Sequence, residues 1–243
     1  PAPRPAPMPP AGKRLKQLSV TQVERLIRDP YAVYAQKILQ LKRLDPLGRE
    51  PDALIRGIAL HKVVEVFVNR YPGSLPNDAR AALLDVAEEV LRDKVPWPAM
   101  QRIWLARISG WFVAQEAERR LRGGSTAQEI EGVRTIESLD FKLVAKADRI
   151  DTDEAGNLLI YDYKSGSPPT KAQTDFFNKQ LQLEAAIAAS GGFEKIGQGM
   201  PVALEYIGLS GAAQDTKGKT LSLDVTPADI DVVWQEFVEL GQS

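Results

Sequence analysis

At Gly123-Gly124 the hydrophobic period of this 243-residue chain changes, and no single layer type satisfies both halves. Before the two glycines, Leu54, Ile55, Ile58, Val63, Val66 and Phe67 recur at helical spacing, which predicts a helix over about 54–71. Two more helices are expected around 78–94 and 98–121. After the glycines, 129–138, 141–151 and 158–164 alternate apolar with polar residues, the mark of strands joined by turns. A helix near 174–189, a strand at 202–209, a polar turn at Thr216–Lys219, a short strand near 221–225 and a last helix over 227–240 complete the pattern. A helical part over about 18–123 and a sheet core over about 124–243 therefore predict helices wrapping a mixed sheet, an α/β or α+β sandwich.

Folded structure is expected to open at Ser19. Ser19-Val20-Thr21-Gln22 spaces a capping hydroxyl three residues ahead of a glutamine, the reciprocal arrangement of a capping box. That helix runs to about Arg28, where Asp29-Pro30 supplies a second N-cap followed by proline at the first helical position of a 31–41 helix. Residues 1–17 read differently. Six of the first ten are proline, a composition that favours an extended linker over a core element. The expectation is a domain of residues 18–243 joined through this segment to a longer polypeptide.

Composition removes several chemistries. The chain has no cysteine, which excludes disulfides, thiolate metal sites and cysteine nucleophiles and suits a reducing cytoplasm. Any metal must sit on oxygen or imidazole. With 31 basic and 32 acidic residues the formal charge is -1, so no global positive field draws the protein to nucleic acid, and only a local groove could. No apolar run reaches the roughly 18 residues of a membrane span, and no secretory leader opens the chain; a soluble, cytoplasmic protein is expected.

The chemistry concentrates in one hairpin. The second and third strands flank Asp153-Glu154-Ala155-Gly156-Asn157, and a turn centred near Ala155 sets Asp148 opposite Asp162. Directly opposed residues hold their Cβ atoms about 5 Å apart, and two carboxylates that close repel unless one is protonated or a cation lies between them. By period two their face also carries Val144, Ile150, Leu158 and Ile160, which predicts a covered face. Lys164, two residues after Asp162, points the same way. Two readings fit: a divalent-cation site with a lysine beside it, suited to phosphodiester hydrolysis, or cross-strand salt bridges among Lys146, Asp148, Asp162 and Lys164 on a solvated face.

Further candidates lie on helices. His61, the sole histidine, shares a helix face with Gly57 and Glu65. It could give a neutral nitrogen to a metal or play a structural part; Glu65 could support it or be a plain surface charge. In the 174–189 helix, Gln180 and Glu184 lie one turn apart, opposite a stripe with Phe176, Phe177 and Leu181. That reads as the polar outer face of an amphipathic helix, or, because the helix follows the Asp-x-Lys strand, as a contact from Gln180 to Lys164 or to a phosphate.

Taken together, Gly57-x-x-x-His61, Ala147-Asp148-Arg149-Ile150-Asp151, Ile160-Tyr161-Asp162-Tyr163-Lys164-Ser165-Gly166 and Lys179-Gln180-Leu181 resemble the RecB-type nucleases of the PD-(D/E)XK superfamily. Arg28-Asp29-Pro30-Tyr31 and Leu44-Asp45-Pro46-Leu47 look specifically like the C-terminal nuclease domain of AddB-like proteins. The resemblance implies a restriction-endonuclease-like mixed sheet flanked by helices. It also implies a magnesium-dependent exonuclease, with manganese accepted, acting on single-stranded DNA fed by an AddA-like helicase–nuclease subunit during double-strand break repair. By position, His61, Asp148, Asp162 and the Tyr163 carbonyl would hold the metal, Lys164 would be the catalytic lysine and Gln180 the glutamine that follows it. A non-catalytic DNA-guiding or scaffold domain of such a complex is the alternative. Two departures stand out. Many relatives carry cysteine at the position of Asp29, with three more near the C-terminus, holding an iron–sulfur cluster; without cysteine, no such cluster is expected here. Glu184 stands where the family often has tyrosine.

Overall fold

The computed structural model describes residues 12, 14–41, 53–92, 99–209 and 218–242. The proline-rich opening, the Leu44–Leu47 motif and the first half of the polar turn at 216–219 lie outside the described residues. The elements run β1 (Gln17–Ser19), α1 (Val20–Arg28), α2 (Pro30–Lys37), α3 (Ala53–Arg70), α4 (Ala79–Leu91), α5 (Ala99–Arg122), β2 (Gly124–Ile136), β3 (Phe141–Thr152), β4 (Leu158–Lys164), α6 (Lys171–Phe176), α7 (Gln180–Ala189), β5 (Pro201–Gly208), β6 (Lys219–Asp224) and α8 (Pro227–Gln242). It is a mixed α/β fold, a six-stranded mixed sheet flanked by helices, consistent with the restriction-endonuclease-like expectation. None of the described helices is long and apolar enough to cross a membrane.

Local chemistry starts the helices where expected. Ser19 and Gln22 form the reciprocal capping box of α1, and Asp29 Oδ1 accepts from Ala32 N at 3.0 Å with Pro30 at the first position of α2. That second helix stops at Lys37, short of the expected Leu41, and Gln40 adopts a positive φ of 55° just beyond it.

Strand β3 organises the sheet. Strand β2 pairs with it antiparallel from Phe141 to Thr152, so β1 and β4 must share its other edge. Strand β1 runs parallel beside 142–144, and β4 runs antiparallel beside 149–152. Between these stretches the edge at 145–148 has no strand partner among the described residues. The pairs Arg149↔Tyr161 and Ile150↔Ile160 carry the register centred on Ala155, and Asp148 and Asp162 lie one step past the last paired rung, where the strands part.

Both faces of the sheet are covered, which is why Leu158-Leu159-Ile160-Tyr161 is continuously apolar. On one face Leu158, Ile160, Leu204 and Tyr206 pack with α1, α7 and α8 residues such as Val23, Leu181 and Phe237. On the other, Leu159, Tyr161, Tyr163 and Ile207 meet Phe67, Leu83 and Phe112 of α3, α4 and α5.

The strict period-two reading of β3 requires correction. Leu143, Ala145 and Ala147 point into the first core, yet so does Ile150, so the alternation inverts between Ala147 and Ile150. Ile150, Leu158 and Ile160 are covered as expected, whereas Val144 is only half-buried and lines an open cleft with Lys146. On β2 the inversion falls between Ala127 and Ile130, both turned to the same core, and Glu129 between them adopts φ 50°. A residue in that left-handed region breaks the pleat. A second correction concerns the 174–189 helix. It divides at Phe177–Lys179 into α6 and α7, and Phe176 and Phe177 are exposed instead of joining an apolar stripe.

Beneath the second face lies a closed ionic cluster. Arg149 is fully buried and donates to both oxygens of Asp151 at 2.6 Å and to Glu116 at 2.7 Å. Glu116 also accepts from Arg120 at 2.8 Å within α5, and its bond from Arg149 ties that helix to the sheet. Removing one member of a buried pair strands its partner's charge. Glu116→Ala is therefore expected to lower unfolding free energy by about 3–5 kcal/mol in urea denaturation; a loss below about 1 kcal/mol, the worth of a surface pair, would show that the cluster does not bear on stability.

Candidate active site

Four elements converge where β3 and β4 part. Asp148 comes from β3, Asp162, Tyr163 and Lys164 from β4, His61 from α3 and Gln180 and Glu184 from α7. The approach of α3 depends on Gly57: a Cβ there would stand 3.2 Å from the Ser165 hydroxyl at the end of β4. A larger side chain would push His61 away from the strand.

Asp148 replaces the missing ladder rung. Its Oδ2 accepts from Tyr163 N at 2.7 Å and lies 3.6 Å from His61 Nδ1. Because a strand residue turns its N–H and C=O to the same edge, the Tyr163 carbonyl faces this same gap. The Tyr163 side chain does not; it is buried on the opposite core, its hydroxyl accepting from Arg149 at 3.3 Å, its ring edge-on to His61.

Asp162 is 3% exposed. Its Oδ1 accepts from Lys164 Nζ at 3.0 Å and from Gln180 Nε2 at 2.5 Å. Its Oδ2 lies 2.8 Å from the same lysine nitrogen but outside hydrogen-bonding geometry, and no other partner serves it. Gln180 completes the clamp, accepting from Lys164 Nζ at 3.0 Å and donating to Glu184 Oε1 at 3.1 Å. Glu184, expected on an outer face, is 1% exposed, and its Oε2 has no partner. The outer-face reading of Gln180 and Glu184 is thus replaced by an inward one: the break before α7 turns that face onto the site. Glu65 pairs with Lys62 at 2.7 Å and so stands as an ion-paired side chain of α3.

Carboxyl groups crowd here around one lysine and one histidine. Burial, with the nearby Asp148 charge, pushes the Asp162 carboxyl up to about 6 although Lys164 opposes the shift. Burial and the charge of Asp162 hold Glu184 well above the ordinary range. For His61, burial works to lower the pKa, but its contact with Asp148 and the charges of Asp148 and Asp162 leave it raised.

The geometry fits a hard divalent cation. Among the described residues, ligand atoms of His61, Glu129 and Asp148 lie within 4.8 Å of one another, an oxygen and imidazole set of the kind that accepts magnesium or manganese. Asp162 is outside that triplet, its carboxylate drawn onto Lys164 and Gln180, with Oδ2 left as an orphan. Glu129 is the residue that reading the sequence missed. It sits at the inversion of β2 and is ion-paired to Lys146. The available signal was the three-residue spacing of Ala127 and Ile130, which breaks strict alternation opposite Asp148 while the β2–β3 register holds across it.

The family model of the PD-(D/E)XK nuclease superfamily matches residues 17–242. The chain belongs to the PD-(D/E)XK nuclease superfamily. Among curated relatives of this nuclease domain, an uncharacterized protein of Rickettsia conorii is 30% identical over 188 residues, covering 73% of this chain and 22% of its own. One from Rickettsia typhi is 32% identical over 186 residues, with 72% and 22% covered. The chain therefore spans about a fifth of the length of these relatives. The solved structure of SSO0001 overlaps weakly, over 76% of this chain and 87% of its own, at 12% identity and a TM-score of 0.29. Divalent metals are typical of the superfamily, and the acidic and histidine cluster accords with that.

The raised Asp162 carboxyl carries a stability consequence with a definite sign. Its unfolded value is 3.8 and its folded value about 6, so the fold favours the protonated form, and that contribution is lost as pH rises through about 6. Asp162→Asn, neutral at every pH, is expected to exceed wild type in stability by about 1–3 kcal/mol near pH 8 in EDTA, the gain vanishing near pH 4. Urea denaturation at both pH values checks this; an asparagine variant less stable than wild type near pH 8 contradicts it.

Proposed function

We propose that this domain hydrolyses phosphodiesters of single-stranded DNA, as a metal-dependent exonuclease of the superfamily's RecB-like branch. The observation that carries the reading is the convergence of Asp148, Asp162, Lys164, His61 and Gln180 on one gap between parting strands. A divalent cation held there by His61, Asp148, Asp162 and the Tyr163 carbonyl, with Glu129 alongside, would polarise the phosphate and acidify an attacking water. Magnesium is the proposed ion, with manganese as a substitute.

The chain's own groups supply the rest. Asp148 provides carboxylate oxygens at the part-buried mouth of the gap and Asp162 at a depth where water screens little. Lys164 holds its ammonium toward the scissile phosphate and stabilises charge developing there. Gln180 fixes that ammonium through its Oε1 while its Nε2 fixes Asp162, so one amide sets the distance between acid and base. A scaffold that only guides DNA gains nothing from two buried, mutually repelling carboxylates, which favours catalysis over the non-catalytic alternative.

On the resemblance to AddB-like proteins, we place this activity in helicase-coupled end processing of double-strand breaks in the cytoplasm. An AddA-like subunit would be the partner, and the remainder of a longer AddB-like chain would join through residues 1–17 to the nuclease domain at 18–243. Both the match to a fraction of longer relatives and the oxygen-based metal set accord with this reading.

Cleavage of end-labelled single-stranded DNA with magnesium or manganese, set against EDTA, tests it. Asp162→Ala is expected to abolish cutting while the protein stays folded. Lys164→Ala is expected to retain metal binding yet lose about 10²–10³-fold in kcat, the loss typical of a deleted charge-stabilising donor. Undiminished cleavage by Asp162→Ala would reject the site.

A further inference from the structure

Between α6 and α7 the backbone turns through Phe177, Asn178 and Lys179 and leaves two aromatic rings outward. Phe176 is 70% exposed and Phe177 38%. The rings stand 6.4 Å apart at a 51° tilt, and Arg28 of α1 sets its guanidinium 4.5 Å from the Phe177 centroid. Adjacent exposed phenylalanines with a cation over one ring form the kind of apolar surface that marks an interaction site.

The turn is pinned rather than loose. Asn178 donates to Glu24 Oε2 at 3.0 Å and accepts from the Tyr206 hydroxyl at 2.7 Å. Tyr206 in turn lies with its ring 5.6 Å from Lys164 Nζ, and Gln180, three residues beyond Phe177, touches both Asp162 and Lys164. The aromatic pair is therefore tied through Asn178 and Tyr206 to the lysine of the candidate site. Arg28 pairs with Glu24 at 3.0 Å, Lys171 with Asp175 at 3.2 Å and Lys179 with Glu236 at 3.9 Å, while Arg25, one turn before Arg28, donates to Gln36.

We propose that Phe176 and Phe177, with Arg28, form a stacking platform for unpaired nucleobases of the strand whose phosphate lies at Lys164, a subsite that rests on the nuclease reading above. Aromatic faces accept any base, and arginine supplies both stacking and phosphate attraction. Bases inside a duplex are already stacked and paired, so the platform selects single strands. Arg25, Arg28, Lys171 and Lys179 outnumber their acidic neighbours Glu24, Asp175 and Glu236 by one, so the patch is locally positive on a chain of net charge -1.

The test measures fluorescence anisotropy in EDTA, where nothing is cut, with labelled oligo-dT, an abasic oligonucleotide of equal length and a duplex. The proteins are wild type, Phe176→Ala/Phe177→Ala and, to preserve packing bulk, Phe176→Leu/Phe177→Leu. Both double variants are expected to bind oligo-dT about 5- to 100-fold more weakly, with abasic and duplex binding unchanged. Equal loss on all three ligands, or no loss on oligo-dT, overturns the platform. Manganese-supported cleavage by wild type is run in parallel: cutting by wild type with unchanged oligo-dT affinity in the variants rejects the platform alone. Neither binding nor cutting by wild type rejects the nuclease reading and the platform with it.

Discussion

Asp162 sits at 3% exposure beside the charge of Asp148, with Glu184 buried behind it, and a single lysine to answer all three. Carboxylates taken out of water repel one another far more strongly than on a surface, because little dielectric screens them. The rest of the site follows from relieving that repulsion. Lys164 and Gln180 are drawn onto Asp162, Asp148 borrows the Tyr163 amide, and His61 leans on Asp148 with a raised pKa. Among the described residues, Asp162 Oδ2, which faces only the Lys164 ammonium, and Glu184 Oε2 are left without a hydrogen-bond partner.

The opposite face of the same sheet shows that this demand is local to one place. Arg149, Asp151 and Glu116 are as deeply buried as Asp162, yet both carboxylates are met by guanidinium groups. That cluster is self-contained and locks α5 to the strands. The two ionic groups differ in what they leave over: the first meets both carboxylates and leaves a nitrogen of Arg120 without a partner, while the second leaves carboxylate oxygens so at the point where β3 and β4 part. Spare oxygens, unlike a spare guanidinium nitrogen, suit a cation, and among the described residues His61, Glu129 and Asp148 gather at the second place. The inversion at Glu129 and the unpaired edge at 145–148 supply the room.

The sequence disclosed those parts of the fold that local rules govern. A hydrogen-bonding side chain ahead of a proline or glutamine marks a helix start wherever it occurs, so Ser19 and Asp29 were readable. The hairpin register was readable because the polar turn at 153–157 centres the pairing on Ala155. Non-local features were hidden. Strand β1 is three residues long and exists only through its parallel pairing with β3, which no periodicity announces. The break at Phe177–Lys179 carries neither glycine nor proline; tertiary bonds from Asn178 to Glu24 and Tyr206 hold it. The inward turn of Glu184 and the approach of Glu129 to His61 depend on that break and on the positive φ of Glu129 in β2, so neither could be read from spacing alone. Asp148, Asp162, Lys164 and Gln180 were legible as a group because two strands and a following helix fix their order.

The chain contains one histidine, and its imidazole resonance is a reporter at the centre of the site. The most direct measurement is a proton NMR titration of His61 in a tag-free protein, first with pH and then with substoichiometric manganese. The account predicts a midpoint above the ordinary 6.5, and broadening of the His61 signal beyond detection by paramagnetic manganese while signals remote from the site persist. A His61 resonance untouched by manganese in the folded protein would contradict the claim that this gap between strands is built to hold a divalent cation.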